Sequence, residues 1–225
     1  MRINIKEVFK NYLPDSEIYI IAGGASMDYI DPSFFDNKIT IGVNESFRKY
    51  KNCNFYLRKD GRVYQGFDIF DHIKTVSPKS KLIVSDYYGG AIEWPKNEWP
   101  EETMDYYYFE HVASHGEMDF SVLEKDEDKL VMGIGICAIA IHFAAYMGAK
   151  NIILCGNDTG FIDNKDYFAE YGTYECPTSH TGTLSWTKDQ TETVAQHFRN
   201  KGLNIVSINP FVNFQLEGHY FTTNK

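Results

Sequence analysis

Two stretches of this chain place glycines and polar residues directly after short apolar strands. Residues 132–141 read as a glycine turn followed by a small-residue helix. Residues 148–158 continue with a tight turn, a buried strand and the polar ending Gly156-Asn157-Asp158. Near the amino end, residues 18–26 repeat the strand-to-glycine pattern with Gly23-Gly24. An α/β sheet builds a nucleotide site with this order of elements. The pattern therefore predicts a ligand-binding crevice.

Apolar strands alternate with helices along most of the chain. We expect a single Rossmann-like α/β domain over residues 1–225, with a doubly wound, mainly parallel sheet. A polar segment over residues 157–186 lacks sustained periodicity, and connections that long are usually functional or disordered. We interpret it as a mobile, C-terminal lid-like insertion. The pattern predicts strands at 17–22, 38–43, 54–57, 81–85, 105–109, 151–154 and 203–208, helices at 6–13, 67–74, 134–147 and 187–201, and a loop or insert at 111–129.

Composition excludes several partners and compartments. The net charge of −9 disfavours nonspecific binding to nucleic acid or to an anionic membrane. The most apolar stretch, residues 134–147, is too short to span a bilayer, so we expect no transmembrane segment. Four cysteines without C-x-x-C spacing indicate reduced thiols and a cytoplasmic location: Cys53, Cys137, Cys155 and Cys176.

Each candidate binding residue follows a predicted strand or precedes a predicted helix. Gly23 and Gly24 would let a phosphate meet backbone N–H groups, or would simply make a tight turn. Asn44 would read a base or a ribose, or would cap the following residues. Gly133 would admit a phosphate at a helix start, or would allow close packing.

The loop after the strand at 151–154 supplies the acidic candidate. Asp158 would bind a ribose hydroxyl, a metal or a backbone N–H group. In the polar segment, His180 is placed to act as a general base near neutral pH, although a surface histidine is the plain alternative. His142, on the buried helix, is interpreted as structural. The chain contains no G-x-S-x-G motif, no P-loop and no zinc spacing.

Three of these stretches resemble motifs of the bacterial family-42 sialyltransferases. Residues 20–31 (IIAGGASMDYID) resemble the family's G-x-G-P-S-L-x-x-I-D motif, and residues 41–47 (IGVNESF) its C-N-x-F strand end. Residues 133–141 and 154–158 resemble its S-G-x-x-x-C-A-x-A-I helix and its L-x-G-x-D strand end. Proteins of the DUF115 group, which includes an archaeal 6-hydroxymethylpterin diphosphokinase, have similar motifs.

The resemblance implies a nucleotide-binding Rossmann-like fold that uses a CMP-activated sugar. It implies that the catalytic base is a histidine before the last long helix, here His180, and that Tyr167 contacts the leaving phosphate. Departures from the family pattern bear on sialic acid specificity: Met132 replaces a serine, Gly23-Gly24 lacks the asparagine of the family turn, and Gly160 or Phe161 stands where a tyrosine is expected. The implied donor contacts are Gly23, Gly24 and Ser26 at the phosphate and sugar, Asn44 at the cytidine, Gly133 at the sugar or phosphate, and Gly156 and Asp158 at the nucleoside.

The leading hypothesis is a glycosyltransferase, in a pathway such as cell-surface polysaccharide biosynthesis. It would bind a nucleotide sugar and a glycan acceptor, and a homo-oligomer is compatible with it. No cofactor is required, because a CMP-sugar leaves with a single phosphate group. The alternative is a pterin-type diphosphokinase, in which Asp158 and Asp163 would hold Mg²⁺. A third hypothesis is a noncatalytic nucleotide-sugar-binding protein.

Overall fold

Strands of nearly continuous apolar character form one parallel sheet through the centre of the protein. The computed structural model describes residues 2–59, 63–64, 67–85, 87–88, 92–93, 106–112, 121–124, 129–131, 135–162, 165–171, 181–208 and 220–221. Strand β2, Glu17–Ile21, shows how the sheet is covered. Ile18 and Ile20 enter the core on one face, and Ile21 enters the core on the other. Because side chains alternate along a strand, apolar residues at both parities require a sheet buried on both faces.

The described elements follow in chain order. The strands are β1 Arg2–Asn4, β2 Glu17–Ile21, β3 Ile39–Val43, β4 Phe55–Arg58, β5 Val63–Tyr64, β6 Phe67–Asp68, β7 Lys81–Ser85, β8 Tyr87–Tyr88, β9 Ile92–Glu93, β10 Tyr106–Val112, β11 Lys129–Val131, β12 Asn151–Cys155, β13 Phe161–Ile162, β14 Asn204–Ser207 and β15 Tyr220–Phe221. The helices are α1 Ile69–Val76, α2 Ser121–Glu124, α3 Ile136–Tyr146 and α4 Thr181–Asn200. Shorter 3-10 helices span Ile5–Glu7, Ala25–Tyr29, Pro32–Phe35, Asn44–Arg48 and Ala169–Tyr171.

The strand order confirms the predicted fold class. The main sheet runs β1-β10-β7-β4-β3-β2-β12-β14, and β11 also pairs with β10. Every pairing within it is parallel. The chain moves from β2 outward through β3 and β4, then returns to add β12 and β14 on the other side of β2. The boundary between β2 and β12 is therefore a topological switch point, where loops leave in opposite directions and open a crevice.

Two apolar clusters cover the two faces of the sheet. One contains α3, which is buried from Ile136 to Ala144, together with Val194 and Phe198 of α4. The other is rich in aromatic side chains, among them Phe47 and Tyr56, contributed largely by the 3-10 helices and strand ends. Alanines along α3 let the helix lie close to the sheet, so the start of the helix reaches the crevice.

Local predictions differ from the described part of the structure in several places. The amino-terminal helix expected over 6–13 is wrong: β1 and a single 3-10 turn precede a series of turns. The region expected as a loop or insert contains α2, and β11 begins at its last residue. Helix α4 begins at Thr181 rather than at residue 187, so it takes up the last residues of the predicted lid. At the amino terminus pairing of β1 with β10 decides the conformation, and in α2 Val122 and Leu123 are buried in the core; local periodicity reports neither.

Two predictions from composition can be compared with the structure. Within the described ranges, no helix is both long and apolar enough to cross a membrane. Cys53, Cys137 and Cys155 are buried, and no disulfide links these three residues. Cys176 lies outside the described residues.

His142 is a buried, neutral histidine inside α3. Its Nδ1 accepts a hydrogen bond of 2.9 Å from the Val131 backbone N–H, so this nitrogen carries no proton. Burial, with help from the nearby charges of His197 and Lys201, lowers the pKa of His142 from 6.5 to about 3. The structural interpretation of His142 agrees with these contacts.

This pKa shift predicts a pH-dependent stability. Between pH 6.5 and about 3 the unfolded chain binds a proton at His142 that the folded chain does not, so stability falls as the pH falls through this window. Denaturant unfolding at several pH values should show that His142→Asn, which keeps an acceptor near the Nδ1 position, removes part of this dependence. The removed slope is at most about 1.4 kcal/mol per pH unit, the value for one proton. Parallel curves for variant and wild type would contradict the assignment.

Candidate active site

The crevice at the switch point is a cleft of about 200 Å³. Loops after β2, β3 and β12 form its floor, the start of α3 forms one wall, and a segment around Tyr167 forms another. Its lining residues are Ala22, Gly23, Gly24, Val43, Asn44, Gly135, Ile136, Cys137, Gly156, Asn157, Asp158, Thr159, Gly160, Asp166, Tyr167, Tyr171 and Thr187.

A carboxylate joins the two loops that diverge at the switch point. Asp158, after β12, accepts a hydrogen bond of 2.7 Å from the Ser26 backbone N–H through Oδ2. Its Oδ1 accepts a hydrogen bond of 2.5 Å from the Ser26 hydroxyl. Asp158 is 3% exposed and Ser26 is fully buried. Of the three alternatives considered for Asp158, the structure shows the bond to a backbone N–H group. Both oxygens of the carboxylate take part, so this carboxylate holds the two loops together.

Burial and hydrogen bonding act in opposite directions on this carboxyl. Burial raises the pKa of Asp158 above its ordinary value, while the two bonds from Ser26 favour the ionised form and work against that rise. The Ser26 bonds therefore offset part of the cost of burying the charge.

Glycines allow the two loops to touch. The Gly24 N–H donates to the Gly156 carbonyl at 2.8 Å. A side chain at Gly24 would collide with that carbonyl and would place its Cβ 2.5 Å from the Asp158 carboxylate. Gly156 has a φ of +68°, a left-handed backbone that favours glycine. Both glycines are thus required by contacts inside the protein, whatever ligand approaches them.

Two buried oxygens in the cleft wall have no hydrogen-bond partner among the described residues. They are Asn44 Oδ1, after β3, and Thr159 Oγ1, after β12. Both residues have positive φ angles, +50° for Asn44 and +46° for Thr159. A left-handed, β-branched threonine is rare, and strained backbone of this kind clusters at functional sites. The expected capping role of Asn44 is wrong, because Val43 is the N-cap and no side-chain cap bond forms.

The amino end of α3 opens onto the cleft without a side-chain cap. Its N-cap residue is Gly135, whose own N–H donates to Gln190 of α4 at 3.3 Å. Ile136 and Cys137, in the first turn, also line the cleft. First-turn N–H groups have no partner within the helix and carry the positive end of its dipole. This wall can therefore receive an anion.

The segment from Lys165 to Tyr171 packs against the glycine loop. Tyr167 forms a bridge with Gly24, and the Phe168 N–H donates to the Gly23 carbonyl at 3.1 Å. Tyr167 stacks on Tyr171 with ring centroids 4.2 Å apart. A Cβ at Gly23 would collide with the Tyr171 ring. This part of the predicted lid is therefore docked over the cleft.

Asp28 fixes the far side of the same segment. Its Oδ1 accepts the Ala169 N–H at 3.0 Å and lies 3.0 Å from Lys49 Nζ, and Lys165 Nζ lies 3.7 Å from Oδ2. Burial opposes ionisation of Asp28, but the Ala169 bond and Lys49 outweigh it and hold its pKa below the ordinary value. The docked segment is thus tied to the 3-10 helix that follows β2.

The structure brings most of the expected site residues together. Ser26 lies beneath the cleft rather than in its lining, so its contact with a donor stays a prediction. Gly133 and His180 lie outside the described residues, although His180 immediately precedes α4 in the chain. The remaining expected residues line the cleft: Gly23, Gly24, Asn44, Gly156, Asp158 and Tyr167.

Sequence reasoning missed several polar residues of the cleft, among them Thr159 and Asp166. Thr159 follows the recognised Gly-Asn-Asp ending, but its left-handed backbone has no sequence signal because threonine rarely adopts it. Asp166 lines the cleft from the docked segment, where no periodicity marked it. In the described part of the chain, no group of three His, Cys, Asp or Glu side chains is arranged to hold a metal. Asp163, the second expected Mg²⁺ ligand, lies outside the described residues.

The Ser26–Asp158 bond predicts a specific loss of stability. Ser26→Ala removes a buried hydroxyl donor from a carboxylate and should cost about 1.5–3 kcal/mol of unfolding free energy. At the surface, the Ser33 backbone N–H and hydroxyl both donate to Asp31 Oδ1, at 2.8 and 2.6 Å. Ser33→Ala is therefore the matched control and should leave the urea midpoint nearly unchanged. Equal losses in the two variants would contradict the role given to burial.

Comparisons with known proteins identify the fold. No protein-family model and no curated protein matches the sequence. A solved structure of the sialyltransferase CstII from Campylobacter jejuni, in complex with the substrate analogue cytidine-5'-monophosphate, is 14% identical. The match covers 91% of this chain and 84% of that chain, with a TM-score of 0.50. A structure of the sialyltransferase CST-II with trisaccharide acceptor and CMP is also 14% identical, covering 92% and 87% with a TM-score of 0.49. The chain thus has a sialyltransferase-like, mostly parallel α/β fold.

Proposed function

We propose that this protein is a glycosyltransferase that moves a sugar from a CMP-activated donor to an acceptor hydroxyl. The observation that carries the proposal is the pair of buried, unpartnered oxygens of Asn44 and Thr159 in the cleft wall. Leaving a buried polar atom unpaired costs about 1–3 kcal/mol. A ligand with hydroxyl or amino donors, such as a nucleoside, would supply the missing bonds.

The start of α3 suits the phosphate of such a donor. Its first turn lines the cleft, and an anion at a helix amino end is stabilised by the first-turn N–H groups and by the dipole. A CMP-sugar has one phosphate, which the helix end and the Tyr167 hydroxyl could share. The helix end therefore replaces the metal that a diphosphate leaving group commonly needs.

The remaining cleft residues divide between the two ends of the donor. Asn44 and the loop of Gly156 and Asp158 would contact the nucleoside. Gly23, Gly24 and Gly133 would lie along the phosphate and sugar, above Ser26. This assignment agrees with the sequence motifs, and the fold likeness to proteins solved with CMP supports a nucleotide as the ligand class.

In the proposed reaction, His180 takes the proton from the acceptor hydroxyl while the hydroxyl oxygen attacks the anomeric carbon. The bond between that carbon and the phosphate oxygen breaks, and CMP leaves with the electron pair. N–H groups of α3 and the Tyr167 hydroxyl stabilise the charge that develops on the phosphate. Donors fixed in advance are the larger effect, since one such donor is worth about 3 kcal/mol. A general base contributes about 10²- to 10⁴-fold.

Nucleotide binding tests the site. In a thermal-shift panel of CMP, CDP, UDP, GDP and ATP, each with and without Mg²⁺, CMP should raise the melting temperature most and without Mg²⁺. Asn44→Ala and Thr159→Val should each weaken CMP binding by roughly two- to tenfold, the loss of one hydrogen bond of about 0.5–1.5 kcal/mol. Asn37 also has a left-handed backbone, with φ of +63°, but lies outside the cleft, so Asn37→Ala is the matched control.

Other outcomes of the same panel would favour other functions. Binding of ATP that strictly requires Mg²⁺ would favour the diphosphokinase. Binding of CMP-sugars without turnover in any acceptor screen would favour a noncatalytic binding protein.

Transfer kinetics test the base. His180→Ala should leave CMP affinity nearly intact and lower transfer by at least ~10²-fold, the lower end expected for a general base. Donor turnover is measured at saturating acceptor. Asp166→Asn, which removes the other carboxylate of the described lining, is the comparison variant. Wild-type turnover in His180→Ala together with loss of turnover in Asp166→Asn would move the base to Asp166.

A further inference from the structure

We propose that the buried ion pair of Glu45 and Arg58 is a positioning device that aims the Asn44 amide into the cleft. Arg58 Nη1 lies 3.1 Å from Glu45 Oε1, and both side chains are 4% exposed. The second carboxylate oxygen of Glu45 bonds Arg48 Nε at 2.9 Å, and Arg48 is 32% exposed. This inference rests on the proposed function, because it concerns how a donor-binding residue is held.

Stability alone does not account for such a pair. Removing two charges from water is costly, and well-packed apolar residues in place of a buried ion pair are often as stable or more stable. Breaking the pair from one side is strongly destabilising, because it leaves a buried charge without compensation. A pair of this kind restricts geometry, because separating the two side chains leaves buried charge with less compensation.

The ion pair fixes the conformation of Asn44, the residue that precedes Glu45. Asn44 has a left-handed backbone with φ of +50° and begins the 3-10 helix that also contains Glu45 and Arg48. A left-handed conformation is less unfavourable for asparagine than for most residues with a Cβ, so a modest local constraint is enough to hold it. Glu45 ties this short helix to Arg58, the last residue of β4, while β3 and β4 pair directly. The Asn44 backbone is thus held between a strand end and an anchored helix.

Glu45 makes two ion pairs, here called the Arg58 arm and the Arg48 arm, and the second supplies a matched control for the first. The Arg58 arm is buried and joins the helix to the sheet, whereas the Arg48 arm is half-buried and stays within the same helix. If positioning is the purpose, the Arg58 arm matters for ligand binding and the Arg48 arm does not. Arg58→Lys, which keeps the charge but loses the planar fork, probes the first. Arg48→Ala probes the second.

A double-mutant cycle on CMP affinity tests the proposal. Calorimetric titration of folded protein should show weaker CMP binding in Glu45→Gln, by about three- to tenfold. In the Asn44→Ala background the same change should have no further effect, because Glu45 acts through Asn44. Arg58→Lys should weaken binding in the same way and Arg48→Ala should leave it unchanged. Unchanged affinity in folded Glu45→Gln and Arg58→Lys, or full additivity with Asn44→Ala, would overturn the proposal.

A second readout needs no ligand and separates the two proposals. The side-chain NH₂ signals of Asn44 in a ¹⁵N correlation spectrum, assigned by their loss in Asn44→Ala, report whether the amide is held. We expect them to broaden or shift towards averaged positions in Arg58→Lys and Glu45→Gln, but not in Arg48→Ala. Absence of CMP binding in the wild type would reject the proposed function alone. Unchanged Asn44 signals in Arg58→Lys would reject the positioning role alone.

Discussion

The fold of the candidate site depends on one buried carboxylate. Beyond the last strand pair of β2 and β12, the Gly24 N–H donates to the Gly156 carbonyl, so the loops after the two strands already touch through their backbones. Asp158 joins them by accepting both the N–H and the hydroxyl of Ser26. Gly24 and Gly156 permit the close approach that these bonds need. The cleft floor, the docked segment that bridges to Gly24 and the positions of the lining residues all follow from this junction.

Unfavourable features of the structure collect around the same cleft. Burial raises the pKa of Asp158, and Asn44 and Thr159 combine left-handed backbones with buried oxygens that lack described partners. Glu45 and Arg58 add a buried ion pair at the neighbouring strand end. The body of the sheet has apolar, regularly paired strands instead. Strain and unpaired polar groups in the lining of a crevice are expected where a protein keeps a binding surface at some cost in stability.

Much of the fold could be predicted from the sequence, because strands buried on both faces leave continuous apolar runs such as Lys81–Ser85. The cleft could be located for a related reason: glycine, asparagine and aspartate directly after such runs mark carboxyl strand ends. Residue roles were harder to predict. Ser26 was expected at the donor, yet its hydroxyl donates to a residue 132 positions away. Thr159 is distinguished by its left-handed backbone and Arg58 by its burial. Neither property produces a periodic pattern in the sequence.

The most direct test of the account is where CMP binds. A crystal structure of the protein with CMP, or amide shift mapping in solution, would locate the nucleotide without any assumption about turnover. We expect CMP to lie between the loops after β2 and β12, in contact with Asn44 and Thr159. A larger cleft of about 720 Å³ lies elsewhere, lined in part by Lys38 and Lys51. Nucleotide bound there, with the Gly156–Thr159 loop unperturbed, would show that the cleft between the loops after β2 and β12 is not the nucleotide site.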